Sequence, residues 1–285
     1  MVELSLVYDK VRWEEKALYE AAKKLNIPLK MVDAEEAIFD ISADKPSENY
    51  GDVVLERCVS HYTGFHVAAI LEGYGYKVIN PSHVIMLCGN KLLTTIALRK
   101  AGLPVPKTYA AFTANSALKA FDKVGYPAIL KPVLGSWGRL VSLISDRAAA
   151  KVAVEHRELM YPLYQVYYVQ ENVKRPPRDI RVFVIGDEIP VAIYRVSPPD
   201  DWRTNTARGG KVVKCELTPE IEELAFKAAD AVGGGVFGVD MMESEDRGLL
   251  VHEVNSTVEF RNTVPATGVR VQDHIINYAV KEAKR

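Results

Sequence analysis

Two apolar segments near the end of the chain, Gly235-Val-Phe-Gly-Val-Asp240 and Val251-His-Glu253-Val-Asn255, constrain the fold more than any other feature. Each reads as a strand, and their separation fits a hairpin. Residues two apart on a strand share a face, so Glu253 and Asn255 point the same way and Asp240 on the neighbouring strand can join them. Three hard oxygen donors are thus carried to one place. Mg²⁺, which takes one or two carboxylates plus phosphate oxygens of a substrate, suits that set. His252 lies between the alternating pair, so strict alternation predicts that it faces the opposite side. The other five histidines, at 61, 66, 83, 156 and 274, show no ligand spacing and read as ordinary core or surface residues.

The first third of the chain has a different rhythm. Residues 2–8 alternate as a strand. Trp13, Ala17, Leu18, Ala21 and Leu25 then mark one face of a helix over 12–25. Strands at 29–32 and 52–56, a helix at 63–72 closed by Gly73 and a strand at 77–79 complete an alternation that predicts a small parallel sheet at about residues 1–85. Beyond it, Asn90 is a good N-cap for a helix running to Ala101, with Gly102, Pro104 and Pro106 as the stop. Residues 107–160 read strand, helix, strand, glycine-rich turn, strand, helix. Strands at 179–186 and 189–196 are joined by a Gly186-Asp187 turn. Thr218-Pro219-Glu220 opens a further helix, and 270–284 closes the chain as another. Ser197–Gly210 is a long polar loop of the kind that often carries function.

Composition narrows the function. The chain has 285 residues, 48% of them hydrophobic and 26% charged, as an ordinary water-soluble protein does. A net charge of −1 gives no drive toward nucleic acid or an anionic membrane. No apolar run approaches the ~20 residues of a membrane span. The N-terminus reads as a strand and not as a signal peptide. Cys58, Cys88 and Cys215 are scattered and form no metal or disulfide pattern, which fits a reducing cytoplasm.

A phosphate site is also legible. Gly135-Ser-Trp-Gly138 joins two strands, so it is neither a P-loop nor a Rossmann turn, both of which lead into a helix. Its bare amides can face phosphates, although such a loop also fits a plain turn. Lys131 interrupts the apolar strand Ala-Ile-Leu-Lys-Pro, where a charge needs a partner. Lys91, at the start of a helix, is a second phosphate cation or a solvated surface lysine. Val169-Gln-Glu171-Asn-Val173 is an apolar strand that breaks into Lys174-Arg-Pro-Pro-Arg178.

Together these residues resemble the ATP-grasp superfamily, in order and over the whole chain, and specifically its RimK-like members. The resemblance implies an α/β fold. A small parallel-sheet pre-ATP-grasp domain (1–88) is followed by two α+β lobes (89–173 and 174–285) that clamp ATP. Lys91 and Lys131 resemble the nucleotide lysines, and Gly135, Ser136, Trp137, Gly138 and Arg139 the flexible phosphate loop. Gln170, Glu171, Asn172 and Val173 resemble the adenine hinge, and Asp179 and Arg181 a segment shared with RimK-type ligases. Asp240, Glu253 and Asn255 fall on the Mg²⁺ ligands.

Within the superfamily the chain is closer to the amino-group-carrier ligases of lysine biosynthesis. Cys88-Gly-Asn90-Lys91, Glu155-His-Arg-Glu-Leu-Met160 and the tail Asn255–Thr263 carry that likeness. It implies that ATP phosphorylates the side-chain carboxylate of a C-terminal glutamate on a small acidic carrier protein, LysW. An amino acid's α-amino group then displaces the phosphate. Arg195 is expected to steady the acylphosphate and Asn205 the phosphate, with Arg208, Gly209 and Gly210 toward the carrier. Asn262-Thr263 matches the pair that goes with α-aminoadipate, and Gly-Phe there would go with glutamate. Arg181 or Arg261 is a candidate charge partner. The family also implies a homo-oligomer. A ligase using glutamate or both amino acids, a RimK-like protein-tail ligase and a non-catalytic ATP-binding protein are the competing readings.

Overall fold

The computed structural model describes residues 2–204 and 209–285. The first sheet is parallel, with strands β1 (Leu4–Tyr8), β2 (Leu29–Asp33), β3 (Val53–Glu56) and β4 (Lys77–Ile79) in the order β2-β1-β3-β4. Helices α1 (Trp13–Lys24) and α2 (His61–Gly73) make its crossovers. The expected helix at 63–72 begins two residues earlier because the Ser60 hydroxyl accepts the Thr63 amide and caps it. The apolar run after Pro81, without a helical cue in its composition, forms α3 (Ser82–Gly89). Helix α4 (Lys91–Lys100) follows, capped as expected by Asn90, whose side chain accepts from Leu92 and Leu93.

The second sheet is antiparallel, in the order β5-β8-β6-β7. Its strands are β5 (Thr108–Ala111), β6 (Ala128–Lys131), β7 (Ser142–Ile144) and β8 (Tyr167–Glu171), covered by α5 (Ala114–Val124) and α6 (Arg147–Glu158). Phe121, Leu130, Tyr167 and Val169 form its core. The loop from 135 to 138 joins β6 to β7, as the sequence implied.

The third sheet is also antiparallel, in the order β11-β10-β9-β12-β13. Its strands are β9 (Arg178–Ile185), β10 (Glu188–Val196), β11 (Lys211–Cys215), β12 (Val236–Ser244) and β13 (Gly248–Asn255). Helix α7 (Pro219–Val232) packs on one face. The short α8 (Thr263–Thr267) and α9 (Val271–Ala283) complete the chain. One core joins the first and third sheets. Leu4, Leu6 and Leu55 of the parallel sheet meet Phe183, Ile193 and Ile276 there. Burying apolar side chains at ~25 cal/mol per Å² makes such a shared core the main bond between them, so the parallel sheet is built onto the third sheet and forms one wall of the cleft described next.

Candidate active site

A cleft opens where the three sheets converge, lined by residues from each of them. Its floor is the hairpin of β12 and β13. Asp240 pairs in register with Glu253, and Gly238 with Asn255. The sequence expectation that these oxygens gather at one place is met. The expectation for His252 is not. Asp240 stands opposite Glu253 while Met241 stands opposite Val251, so His252 is the extra residue of a bulge. The bulge breaks the alternation and turns His252 into the cleft wall. Both ring nitrogens are buried without a hydrogen-bond partner, and burial first, then Lys131, lowers the ring to about 4.

Three cations hold these carboxylates, and a fourth stands near them. Arg181 grips Asp240 with two bonds of 2.7 Å, passing Gly238, where a Cβ would lie 3.4 Å from the arginine chain and 2.7 Å from Val258. Arg195 binds Asp179 through two 2.7 Å bonds and reaches Asp240 at 3.0 Å. Burial would raise Asp240, but Arg181 and Arg195 outweigh it and hold the acid well below the usual carboxylate range. Lys91 donates to the Gly135 carbonyl at 2.7 Å and sits 3.1 Å from Glu253. Lys131 donates to Gln170 at 2.7 Å, and burial brings its ammonium down to about 8, with Glu253 opposing that shift. Two lysines from the second sheet's end of the cleft therefore face the acids of the third.

The donor set fits a hard divalent cation. The Asn255 amide nitrogen donates to the Gly238 carbonyl and to Asp240, which directs its carbonyl oxygen elsewhere. Among the described residues no cluster of three or more His, Cys, Asp or Glu could hold a metal unaided. Two carboxylates and an amide would need phosphate oxygens to complete the shell, as Mg²⁺ sites in nucleotide enzymes do.

The phosphate loop lies over this end. Gly135, Ser136, Trp137, Gly138 and Arg139 all line the cleft. Trp137 takes a left-handed φ of 57°, its indole N–H donates to Glu259 at 3.2 Å, and Arg139 stacks 4.7 Å above its ring. Arg203 reaches the Gly138 carbonyl at 3.2 Å. Several expected residues lie elsewhere. Glu171 accepts from the Lys107 amide and Arg247, away from the cleft, with exposed Asn172 and buried Val173 beside it. Gly209 and Gly210 stand outside the lining, as do exposed Asn262 and buried Thr263 at the start of α8. Asn205 and Arg208 lie outside the described residues.

The residues sequence reasoning missed come from the parallel sheet. Arg12, Glu56, Cys58, Ser60 and His61 line the opposite wall. Behind them Glu15 binds Arg12 at 2.8 Å and Arg57 at 3.3 Å, and Arg57 donates to the Val258 carbonyl at 3.1 Å. Glu14 accepts the amides of Phe260 and Arg261. The signal was present as the charged pair Glu56-Arg57 ending an apolar strand, because open parallel sheets gather ligands at their strands' carboxyl ends.

A nucleotide-type phosphate loop, two lysines and an acidic hairpin between two antiparallel sheets define an ATP-grasp ligase. The chain matches the LysX preATP-grasp domain over residues 4–87 and the RimK-like ATP-grasp domain over 88–279, and it belongs to the RimK-like ATP-grasp family. It is an ATP-dependent carboxylate–amine ligase. It is 40% identical over 275 residues to the alpha-aminoadipate–LysW ligase LysX of Saccharolobus solfataricus, covering 96% of this chain and 99% of that one. To the glutamate–LysW ligase ArgX of Sulfolobus acidocaldarius it is 36% identical over 276 residues, covering 96% and 97%. The fold also matches a RimK domain ATP-grasp protein from Sphaerobacter thermophilus at a TM-score of 0.78 and 24% identity, covering 98% and 99%.

Proposed function

We propose that this protein joins the α-amino group of α-aminoadipate to the C-terminal glutamate side chain of a LysW-type carrier, using ATP, within the cytoplasmic route to lysine. The observation that carries the reading is the facing arrangement of Lys91 and Lys131 against Asp240 and Glu253. Such an arrangement suits binding of a nucleotide triphosphate between them and activation of a carboxylate. The preference for aminoadipate is supported by the higher identity to LysX than to ArgX relatives and by Asn262-Thr263.

In this reading Lys91 and Lys131 hold the phosphates, and Asp240, Glu253 and Asn255 hold Mg²⁺, which neutralises charge on them. The amides of the loop at 135–138 cover the transferred group. Glu171, Asn172 and Val173 stand outside the cleft lining, and only their likeness to the family's hinge assigns them to the adenosine end. Arg195, now shared by Asp179 and Asp240, stands beside the place where the acylphosphate forms. Asn205 and Arg208, with Gly209 and Gly210, belong to the loop that meets the carrier. Thr263 does not reach the cleft, so its effect on substrate choice runs through α8, which packs on β11 directly after that loop.

The test is a coupled ATPase assay with a LysW-type carrier, Mg²⁺ and either amino acid, read by intact carrier mass. A mass gain with aminoadipate that EDTA abolishes is expected. A gain with glutamate alone moves the protein to arginine synthesis, and an equal gain with both makes it dual. No gain and no ADP overturn the reading.

A further inference from the structure

Glu56 ends β3 at the carboxyl edge of the parallel sheet. It is 4% exposed, yet it lines the cleft. Its Oε1 accepts the Cys58 amide at 2.6 Å, its Oε2 meets the Thr257 hydroxyl at 3.5 Å, and the Cys58 thiol also donates to the carboxylate. Among the described residues it has no cationic partner. The neighbouring Arg57 is turned to Glu15 and the Val258 carbonyl. Asp9, whose charge reaches Glu56, is engaged by the amides of Val59 and Ser60. Burial holds the Cys58 thiol protonated and lowers His61 on the same wall.

A buried carboxylate without a counter-ion is costly, and the fold makes room for this one. Gly64 in α2 has ordinary helical geometry, but a Cβ there would come within 2.5 Å of Glu56 Oε1. A side chain at 64 would displace the carboxylate from its present place, so the glycine leaves room for it. The cation that balances Glu56 must then enter with a ligand. In the ligase reading, on which this inference rests, ATP and the carrier glutamate are anions. Mg²⁺ belongs with the phosphates at the hairpin acids, so the ammonium of the incoming amino acid is the cation left for Glu56.

We propose that Glu56 docks the α-ammonium of the incoming amino acid and accepts the proton it must lose before it attacks. The carboxylate takes one proton, leaving a neutral amine and a carboxylic acid. The nitrogen lone pair forms the C–N bond to the carrier's acyl carbon, the C–O bond to phosphate breaks, and phosphate leaves with that electron pair. The nitrogen's surplus proton goes to the departing phosphate, and Glu56 returns its own to water. Burial raises Glu56 to about 7, opposed by the Cys58 amide and thiol and then by Arg57, with Asp9 adding to the rise, so its base strength suits proton transfer near neutrality.

Hydroxylamine separates this role from carrier activation. It is neutral at pH 7 and traps an acylphosphate as a hydroxamate without a docking anion. With ATP, Mg²⁺ and carrier, Glu56→Gln is expected to lose roughly 10²-fold or more in kcat/KM for aminoadipate. The wild type's acid limb near pH 7 is expected to vanish, hydroxamate formation to fall far less, and Glu56→Asp to restore part of the coupling. Aminoadipate kinetics and a pH profile unchanged in Glu56→Gln overturn the proposal. So does a hydroxamate yield that falls in step with the amide, since Glu56 would then serve folding or carrier activation. A wild type that makes neither product overturns the ligase reading and this one with it. A wild type that makes both while Glu56→Gln behaves identically overturns Glu56 alone.

Discussion

The two ends of the cleft handle buried charge in opposite ways. At the hairpin end every acid is matched: Asp240 by Arg181 and Arg195, Asp179 by Arg195, Glu253 by Lys91. At the parallel-sheet end Glu56 is left with neutral partners, the Cys58 amide and thiol and a distant hydroxyl. Charges that bind a large polyanion and its metal can rest on each other between turnovers, because phosphate and cation exchange for partners already present. A group that binds a single small cation cannot be paired in advance without blocking its own site. The protein therefore stores destabilisation at the parallel-sheet end and not at the hairpin.

Breaking the matched end has the largest effect. Asp240 is 1% exposed and serves two guanidinia. Asp240→Asn leaves Arg181 without a carboxylate partner among the described residues. Removing one partner of a buried pair costs about 3–5 kcal/mol, so the urea midpoint is expected to drop sharply and carrier ligation to be lost with it. An unchanged midpoint would show that the hairpin end is held by packing alone.

Much of this architecture was readable in advance because it follows from local chemistry. The caps at Asn90 and Thr218 fixed the starts of α4 and α7. The paired strands brought Asp240, Glu253 and Asn255 together because register carries that information. Two kinds of feature escaped. His252 was misplaced because alternation assumes a regular ladder, and a one-residue bulge has no signature in residue types. Glu14, Glu15, Arg57 and Glu56 were overlooked because each looks like a surface charge until the tail at 258–261 folds back on them from about 200 residues away. That packing is a property of the tertiary fold and leaves no local periodicity. Asn262 and Thr263 stood out by likeness to relatives, yet the cleft wall does not include them.

The unmatched end should respond with the opposite sign. A carboxylate whose folded pKa lies above its unfolded value adds no penalty below the unfolded value. Stability is then lost as pH rises toward the folded value, because the unfolded chain releases its proton first. Glu56, raised to about 7 from an ordinary 4.5, falls in that window. Glu56→Gln keeps an acceptor for the Cys58 amide and removes the charge. It is expected to match the wild type near pH 4 and to exceed it by roughly 1–3 kcal/mol at pH 8. Denaturant midpoints across that range check it. A variant less stable than wild type at pH 8 would mean that Glu56 is as well satisfied as Asp240, and the contrast between the two ends would disappear.

The smallest expected effect lies on the contact that joins the two ends. Trp137 of the phosphate loop donates to Glu259, which also binds Arg12 from the parallel-sheet wall at 3.3 Å. Trp137→Phe keeps an aromatic surface for Arg139 and deletes only the indole N–H. Glu259 retains Arg12, so no buried charge is stranded, and a hydrogen bond of this kind contributes roughly 0.5–1.5 kcal/mol. Stability should hardly move. If the bond holds the loop down over the phosphates, KM for ATP should rise several-fold with kcat for aminoadipate preserved, as loss of uniform binding predicts. A fall in kcat with KM unchanged would instead show that the loop and the amine-side wall act together in the bond-forming step, and the two ends would have to be treated as one device.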